Sequence, residues 1–259
     1  MADRKNVAVL FDGSLEGFLC VVYAYYYDGI TPLNIQEERR YQRMLDTEEY
    51  YISTNYEHAA KVQQAVRKKI SHAAESNLSF AFLADVAEKA EKAGENKYMD
   101  IFRYLLLGFK IGAKVDNHLQ QDYVLCVQKL ARATVREAHL LMGFCRFAQT
   151  KGVYYCEISP VHNVLSVLAE HFSDRMMNQV WIIHDKKRKL AAVYNGNEYV
   201  ITEAPAIQME QAQGEAQIQE MWLTFFNTVS IKERANPKLQ RNLLPLRYRG
   251  SMPEFNHPF

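Results

Sequence analysis

Apolar residues change their period near the middle of the chain. At the start, "NVAVLFDGS" is a short apolar run closed by an Asp-Gly turn, which predicts a strand. Ser14 then stands at a helix N-cap, and "SLEGFLCVVYAYYYDG" is apolar almost all round. That pattern predicts a buried helix stopped by Gly29 and Pro32. "EYYISTN" reads as a second strand, with Thr54 or Asn55 capping "EHAAKVQQAVRKKI", whose apolar positions recur at three and four. "NLSFAFLADVAEKAEKAG" and "NKYMDIFRYLLLGFKIG" follow as helices, each ending at glycine. A long helical stretch then runs from about Asp122 to Phe147.

At Lys151-Gly152 the character of the chain changes. "VYYCEIS" alternates like a strand that Pro160 ends, and "HNVLSVLAEHF" is helical. "QVWIIHD", "LAAVYNG" and "EYVITEA" are strand-like runs whose polar links suit an antiparallel meander. "EAQIQEMWLTFFNTV" is a last amphipathic helix. The expectation is an α+β fold in one compact unit, residues 1–259. Within it, 1–150 are mainly helical with one or two strands. Residues 151–230 form an antiparallel sheet layer with flanking helices, and 231–259 a docked basic tail. No repeat or low-complexity tract appears.

Composition changes this picture little. A charged share of 24% and a net charge of +1 belong to an ordinary soluble chain, so affinity for a polyanion must come from a local patch. "MADRKNVAVLFDG" has no signal-peptide h-region and no apolar run is long enough for a bilayer, so a cytoplasmic protein is expected. Cys20, Cys126, Cys145 and Cys156 stand far apart among apolar neighbours. They lack the spacing of zinc or iron–sulfur ligands and read as reduced core residues. D-G-S-x-x-G matches neither a P-loop nor a dinucleotide fingerprint, and the histidines lack metal-ligand spacing. No metal or cofactor is indicated.

Candidate chemistry gathers in four places. On "RATVREAHLLMGFCRF", Arg132, Arg136, His139 and Arg146 fall within about 80° of one another, with Gly143 in the same stripe. The stripe is either a solvated face or a ridge for phosphate or carboxylate. Asp12 and Glu16 lie at a helix N-terminus, where carboxylates cap; acid–base work is the other option. His184 and Asp185 end a strand, where they are either a general base and its neighbour or the opening of the "DKKR" turn with Arg188. His171 and Asn163 belong to the predicted helix after Pro160.

The fourth place is the tail "IKERANPKLQRNLLPLRYRG", residues 231–250. It holds Lys232, Arg234, Lys238, Arg241, Arg247 and Arg249 against the single Glu233, a net +5, so the rest of the chain sums to about −4. Pro237 and Pro245 oppose a continuous helix, while Leu239, Leu243, Leu244 and Tyr248 can anchor the segment. A docked, extended, basic segment presenting arginines to nucleic-acid phosphate is expected; a tail that only neutralises an acidic body is the alternative.

These segments resemble a known family. "FDGSLEGFLC", "REAHLLMGFCRF", "NVLSVLAEHFSDR", "QVWIIHDKKR" and "ERANPKLQ…LPLRY…PEF" are similar, in that order, to a bacterial domain-of-unknown-function family assigned to DNA metabolism or DNA repair. Its members are encoded beside a radical S-adenosylmethionine (SAM) DNA repair protein, and some are fused to a uracil-DNA-glycosylase-like domain. The resemblance implies a DNA-related role and a partner that supplies iron–sulfur chemistry. By motif position it points to Asp12, Glu16, Arg136, His139, Arg146, Asn163 and His171. Further along it points to Arg175, His184, Asp185, Arg188, Arg234, Asn236 and Arg247. Leu140 and Arg249 depart from the pattern, replacing a basic residue and an aromatic respectively.

The leading expectation is therefore a DNA-binding accessory protein that works with a radical SAM enzyme. Phe147, Tyr154, Tyr155 and Tyr248 are available to stack on unpaired bases. The alternative is a nucleic-acid hydrolase or glycosylase-like enzyme, with Asp12 or Asp185 activating water and His139, His171 or His184 moving protons. A third possibility is an adaptor whose basic groove accepts an acidic partner segment.

Overall fold

A computed structural model describes residues 6–41, 48–86, 96–207 and 214–256. It divides into two compact units, Met1–Val135 and Arg136–Phe259. Both contain helices and a sheet, so the fold is α+β.

The first unit is built on β1 (Asn6–Phe11), β2 (Thr31–Glu37) and β3 (Glu49–Tyr51), all parallel, in the order β2-β1-β3. Central β1 is buried from Val7 to Phe11, which is why it reads as a continuous apolar run instead of alternating. Helix α1 (Leu15–Tyr27) makes the crossover from β1 to β2. Ser14 caps it as expected, its hydroxyl accepting from the Gly17 amide at 2.9 Å. Strand β2 has no counterpart in the sequence reading, which took Pro32 as a helix stop. Proline is tolerated there because β2 lies at the edge of the three-strand order.

Helix α2 (Tyr56–Ala65) is capped by Asn55, which accepts from the Glu57 and His58 amides. It runs through a π-helical turn, Val66–Ile70, to Ser71, the N-cap of α3 (His72–Leu83). The predicted continuation of α3 through residues 87–94 lies outside the described residues. Helix α4 (Lys97–Ile111) starts at the Asn96 cap and crosses that π turn at Gly108, where a methyl group would stand 2.6 Å from Ile70 Cδ1. Long α5 (Asp122–Phe144) carries residues of both units. Its Val124, Val127 and Ala131 join the core of the first unit, where Phe11, Phe18, Phe82 and Tyr98 form an aromatic cluster.

In the second unit, β4 (Ala148–Thr150), β5 (Val153–Ile158), β6 (Trp181–Asp185), β7 (Leu190–Tyr194) and β8 (Tyr199–Glu203) pair in sequence order. Lys151 and Gly152, both at positive φ, make the two-residue turn between β4 and β5. The sheet is mostly antiparallel, but β5 and β6 run parallel because α6 (Leu165–Arg175) connects them. Leu165, Leu168 and Phe172 of α6 share a core with Cys156, Trp181 and Ile183. His162 and Asn163 precede α6, contrary to the expectation that placed them on it: the helix starts only at Leu165. None of the four cysteines is in a disulfide; Cys145 is held well above the usual thiol range by hydrogen bonding to Cys156 and by burial.

Helix α7 (Glu215–Val229) precedes the tail, and the polar stretch 208–213 before it lies outside the described residues. The tail is not extended. Asn236 caps the short helix α8 (Pro237–Leu243); as expected the prolines break the segment, and Pro237 occupies the first turn of α8, where no amide hydrogen is needed. Leu239 and Leu243 are more than half exposed, so two of the expected anchors do not anchor. Leu244 and Tyr248 do, together with Met252. Among the described residues, no helix is long and apolar enough to cross a membrane.

Two stability effects are expected in the first unit. A Cβ on Gly17 would stand 2.3 Å from Asp12 Oδ1 and 2.9 Å from Thr54 Oγ1. Gly17→Ala should therefore lower stability by about 1–3 kcal/mol in urea titration, the clash outweighing a helix-propensity gain of about 1 kcal/mol. Buried Glu75 takes a bidentate ion pair from Arg67 at 2.7 and 2.9 Å, which holds its carboxyl below the ordinary 4.5 even though burial opposes this. A depressed carboxylate stabilises above its unfolded value, and that stabilisation is lost as pH falls through the folded value. Glu75→Gln should lower the urea midpoint at neutral pH, with the difference from wild type closing below about pH 4.5.

Candidate functional site

Two parallel strands end side by side in the second unit, and open sheets commonly bind ligands beyond the carboxyl ends of such strands. At this place lies a cleft of about 140 Å³. Glu157, Ile158 and Ser159 line it from the end of β5, and Lys186 from the end of β6. Leu141 and Phe144 of α5 supply apolar wall. The tail closes it with Arg247, Tyr248, Gly250 and Ser251.

What holds the tail here is a pair of buried carboxylates. Glu137, on the second-unit part of α5, accepts from the amides of Val161 at 2.8 Å and His162 at 2.6 Å, and from the Tyr248 hydroxyl. Burial, reinforced by the bond to Glu137, pushes the Tyr248 phenol up to about 12. Glu254 accepts from Arg146 at 2.8 and 3.2 Å and from the Trp222 indole at 3.0 Å. Both carboxylates are about 5% exposed or less, and a buried charge must be met by donors of this kind. The loop after β5 is tied a second time, because Arg188 and Lys187 donate to the carbonyls of Pro160 and Val161.

The anticipated cations separate into two groups. Arg146 belongs to Glu254 and lies over the Trp222 ring. Arg188 is paired with Asp185 at 2.9 Å, and Arg249 donates to the Leu244 carbonyl and stacks on Phe255. Arg136, Arg175, Arg234, Lys238 and Arg241 are exposed. Arg247 is exposed as well; its guanidinium lies 4.8 Å from the Tyr248 ring centre and donates to the phenol oxygen. Asn236 serves as the α8 cap, and Asn163 is half-buried in the loop before α6. Arg132 sits on the first-unit part of α5 beside Gln128.

The anticipated acid–base residues are also dispersed. Asp12 accepts from the Ser14 amide and hydroxyl and from Thr54; these bonds outweigh burial and hold its carboxyl below the usual range. It lies with exposed Glu16 in the first unit. His139 is exposed on α5, and the His171 ring packs edge-on against Phe172. Asp185 is fully buried and opens the turn, accepting from the Lys187 and Arg188 amides. His184 points to the other face, 2.9 Å from the Tyr155 hydroxyl and 2.9 Å from the Ala204 carbonyl. Of the aromatics proposed for stacking, Phe147 packs on Phe172 and Tyr248 is buried. Among the described residues, no group of three His, Cys, Asp or Glu side chains is placed to hold a metal ion.

Glu137, Glu157, Lys186 and Glu254 were not anticipated. Glu137 had a readable signal: it falls four residues before Leu141, on the apolar side of α5, where a carboxylate is costly unless bonded. Glu157 alternates with Tyr155 on one face of β5.

A family model described as "Domain of unknown function (DUF4130)" matches residues 95–254, more than half of the chain. The segment bearing Asp12 and Glu16 lies outside that match. No curated protein matches the chain.

Tyr248→Phe removes a donor from buried Glu137, so stability should fall by about 1–3 kcal/mol in chemical denaturation. Cleavage of the tail by a protease should become faster. An unchanged midpoint and cleavage rate would show that the tail is held by apolar packing alone.

Proposed function

We propose, for a chain that belongs to the DUF4130 family of unknown function, a role as a DNA-binding accessory protein in DNA repair or modification. The observation that carries this reading is the docked tail. Two buried carboxylates fix it against the second unit, and its Arg247 stands at a cleft beyond the ends of β5 and β6. A guanidinium on an aromatic ring, in a cleft that Ser159 and Ser251 also line, offers donors to a phosphate and a flat surface to a base. Exposed Arg234, Lys238 and Arg241 on the same tail extend the positive charge along the chain. Arg146, Arg188 and Arg249 are left out of this surface, because each is used inside the fold.

The resemblance to proteins encoded beside a radical SAM DNA repair enzyme supplies the partner in this reading. That enzyme would perform the chemistry on DNA held here, and a uracil-DNA-glycosylase-like protein would act in the same setting. A second reading, a nucleic-acid hydrolase or glycosylase-like enzyme, is favoured by one observation. His184 reaches the cleft carboxylate Glu157 through the Tyr155 hydroxyl.

Binding of labelled single-stranded DNA across a salt series tests the first reading. Affinity should fall steeply with salt, and Arg247→Ala and Arg241→Ala should each flatten the log–log slope by about 0.7. Binding indifferent to salt, or unchanged in the double variant, would remove the tail from any DNA interface. Base release or strand cleavage by the purified chain, lost in Glu157→Gln with binding kept, would move the assignment to the enzyme reading.

A further inference from the structure

The contacts around Tyr155 require one more hydrogen than a neutral imidazole, a phenol and an ionised carboxylate provide. His184 Nε2 lies 2.9 Å from the Ala204 carbonyl oxygen, which can only accept, so Nε2 carries a hydrogen. The Tyr155 oxygen lies 2.9 Å from His184 Nδ1 and 3.0 Å from Glu157 Oε1. A phenol has one hydrogen and can donate to only one of these acceptors. Both contacts are made together only if one further proton resides in the chain. It sits either on Nδ1, with Tyr155 donating to the carboxylate, or on Glu157, with Tyr155 donating to Nδ1. The two arrangements contain the same atoms and differ by the shift of two protons along existing bonds.

We infer that His184, Tyr155 and Glu157 form a relay that holds one transferable proton and opens into the cleft, where Glu157 serves as acid or base to a bound group. Only Glu157 of the three lines the cleft; His184 is 4% exposed. Lys186 Nζ contacts the other carboxylate oxygen at 3.0 Å, and Arg247 faces the same space. On β7 the residue opposite His184 is Ala191, and Asp185 and Cys156 lie on the opposite face of the sheet. Burial and the bond to Glu157 push the Tyr155 phenol far up, so it passes protons without becoming a phenolate.

The fitting ligand is small, with an oxygen or nitrogen atom that gains or loses a proton near Arg247. In donation, the Nδ1–H bond breaks as Tyr155 receives that proton and passes its own to Glu157. The Glu157 O–H bond then breaks as the bond to the ligand atom forms. His184 is left neutral and Glu157 ionised, and no electron acceptor or donor is involved. The relay holds its proton whether or not nucleic acid is bound.

The test uses the full chain labelled with ¹³C and ¹⁵N at neutral pH, reading the His184 ring nitrogens and the Glu157 carboxyl carbon. One of two signatures is expected: a doubly protonated His184 ring, or a protonated Glu157 carboxyl. Glu157→Gln, whose amide can donate to the Tyr155 oxygen, should leave a neutral His184 with its hydrogen on Nε2. In Tyr155→Phe the ring and the carboxyl should titrate independently of each other. A neutral His184 together with an ionised Glu157 in the wild type overturns the relay. So does an imidazolium that persists in Glu157→Gln. The wild-type spectrum decides even if a variant does not fold.

Discussion

A carboxylate kept from water must be surrounded by donors, and Glu137 shows how much of the second unit answers to that requirement. Its donors come from two consecutive amides after β5 and a phenol more than a hundred residues further along the chain. Removing any one leaves charge uncompensated, at a cost comparable to a large fraction of a domain's stability. The loop and the tail are thus positioned by one acceptor on α5. The cleft is a consequence, since its walls are the strand end before that loop, the α5 turn beyond Glu137, and the tail segment around Tyr248.

The same logic divides the basic residues. A guanidinium beside a buried carboxylate is part of the fold, as for Arg146 with Glu254 and Arg188 with Asp185. One that lies on an aromatic ring and faces a cleft keeps donors for a ligand, as for Arg247. Within the segment itself the two arginines around Tyr248 differ: Arg249 is held by the Leu244 carbonyl and the Phe255 ring, whereas Arg247 lines the cleft.

The legible elements were those in which local chemistry and tertiary context agree. Ser14 and Asn55 cap helices, alternation marked β5, and strand-like runs with polar links marked β6 to β8, because each signal lies within a few neighbouring residues. Strand β2 was hidden because its proline is acceptable only at an edge, and edge position is a property of the assembled sheet. Leu239 and Leu243 were misread for the converse reason: apolar spacing says a helix face exists, not that anything covers it. The His184 and Asp185 split was foreseeable from strand parity, whereas the partner Tyr155 comes from a different strand through the parallel register.

That parallel register is what joins the chemistry to the cleft. Had β6 followed β5 as a hairpin, its carboxyl end would lie at the far edge of the sheet, away from the β5 carboxyl end. The α6 crossover instead sets Glu157 beside His184 and brings Lys186 out at the same edge as Ser159. A carboxylate with a lysine on one oxygen and a phenol on the other is held at the wall of the cleft that Arg247 and Tyr248 also line. A sheet with this one parallel pair therefore places a proton-handling group and an anion-seeking group within one small hollow. Neither the basic tail nor the strand pair would create that arrangement alone.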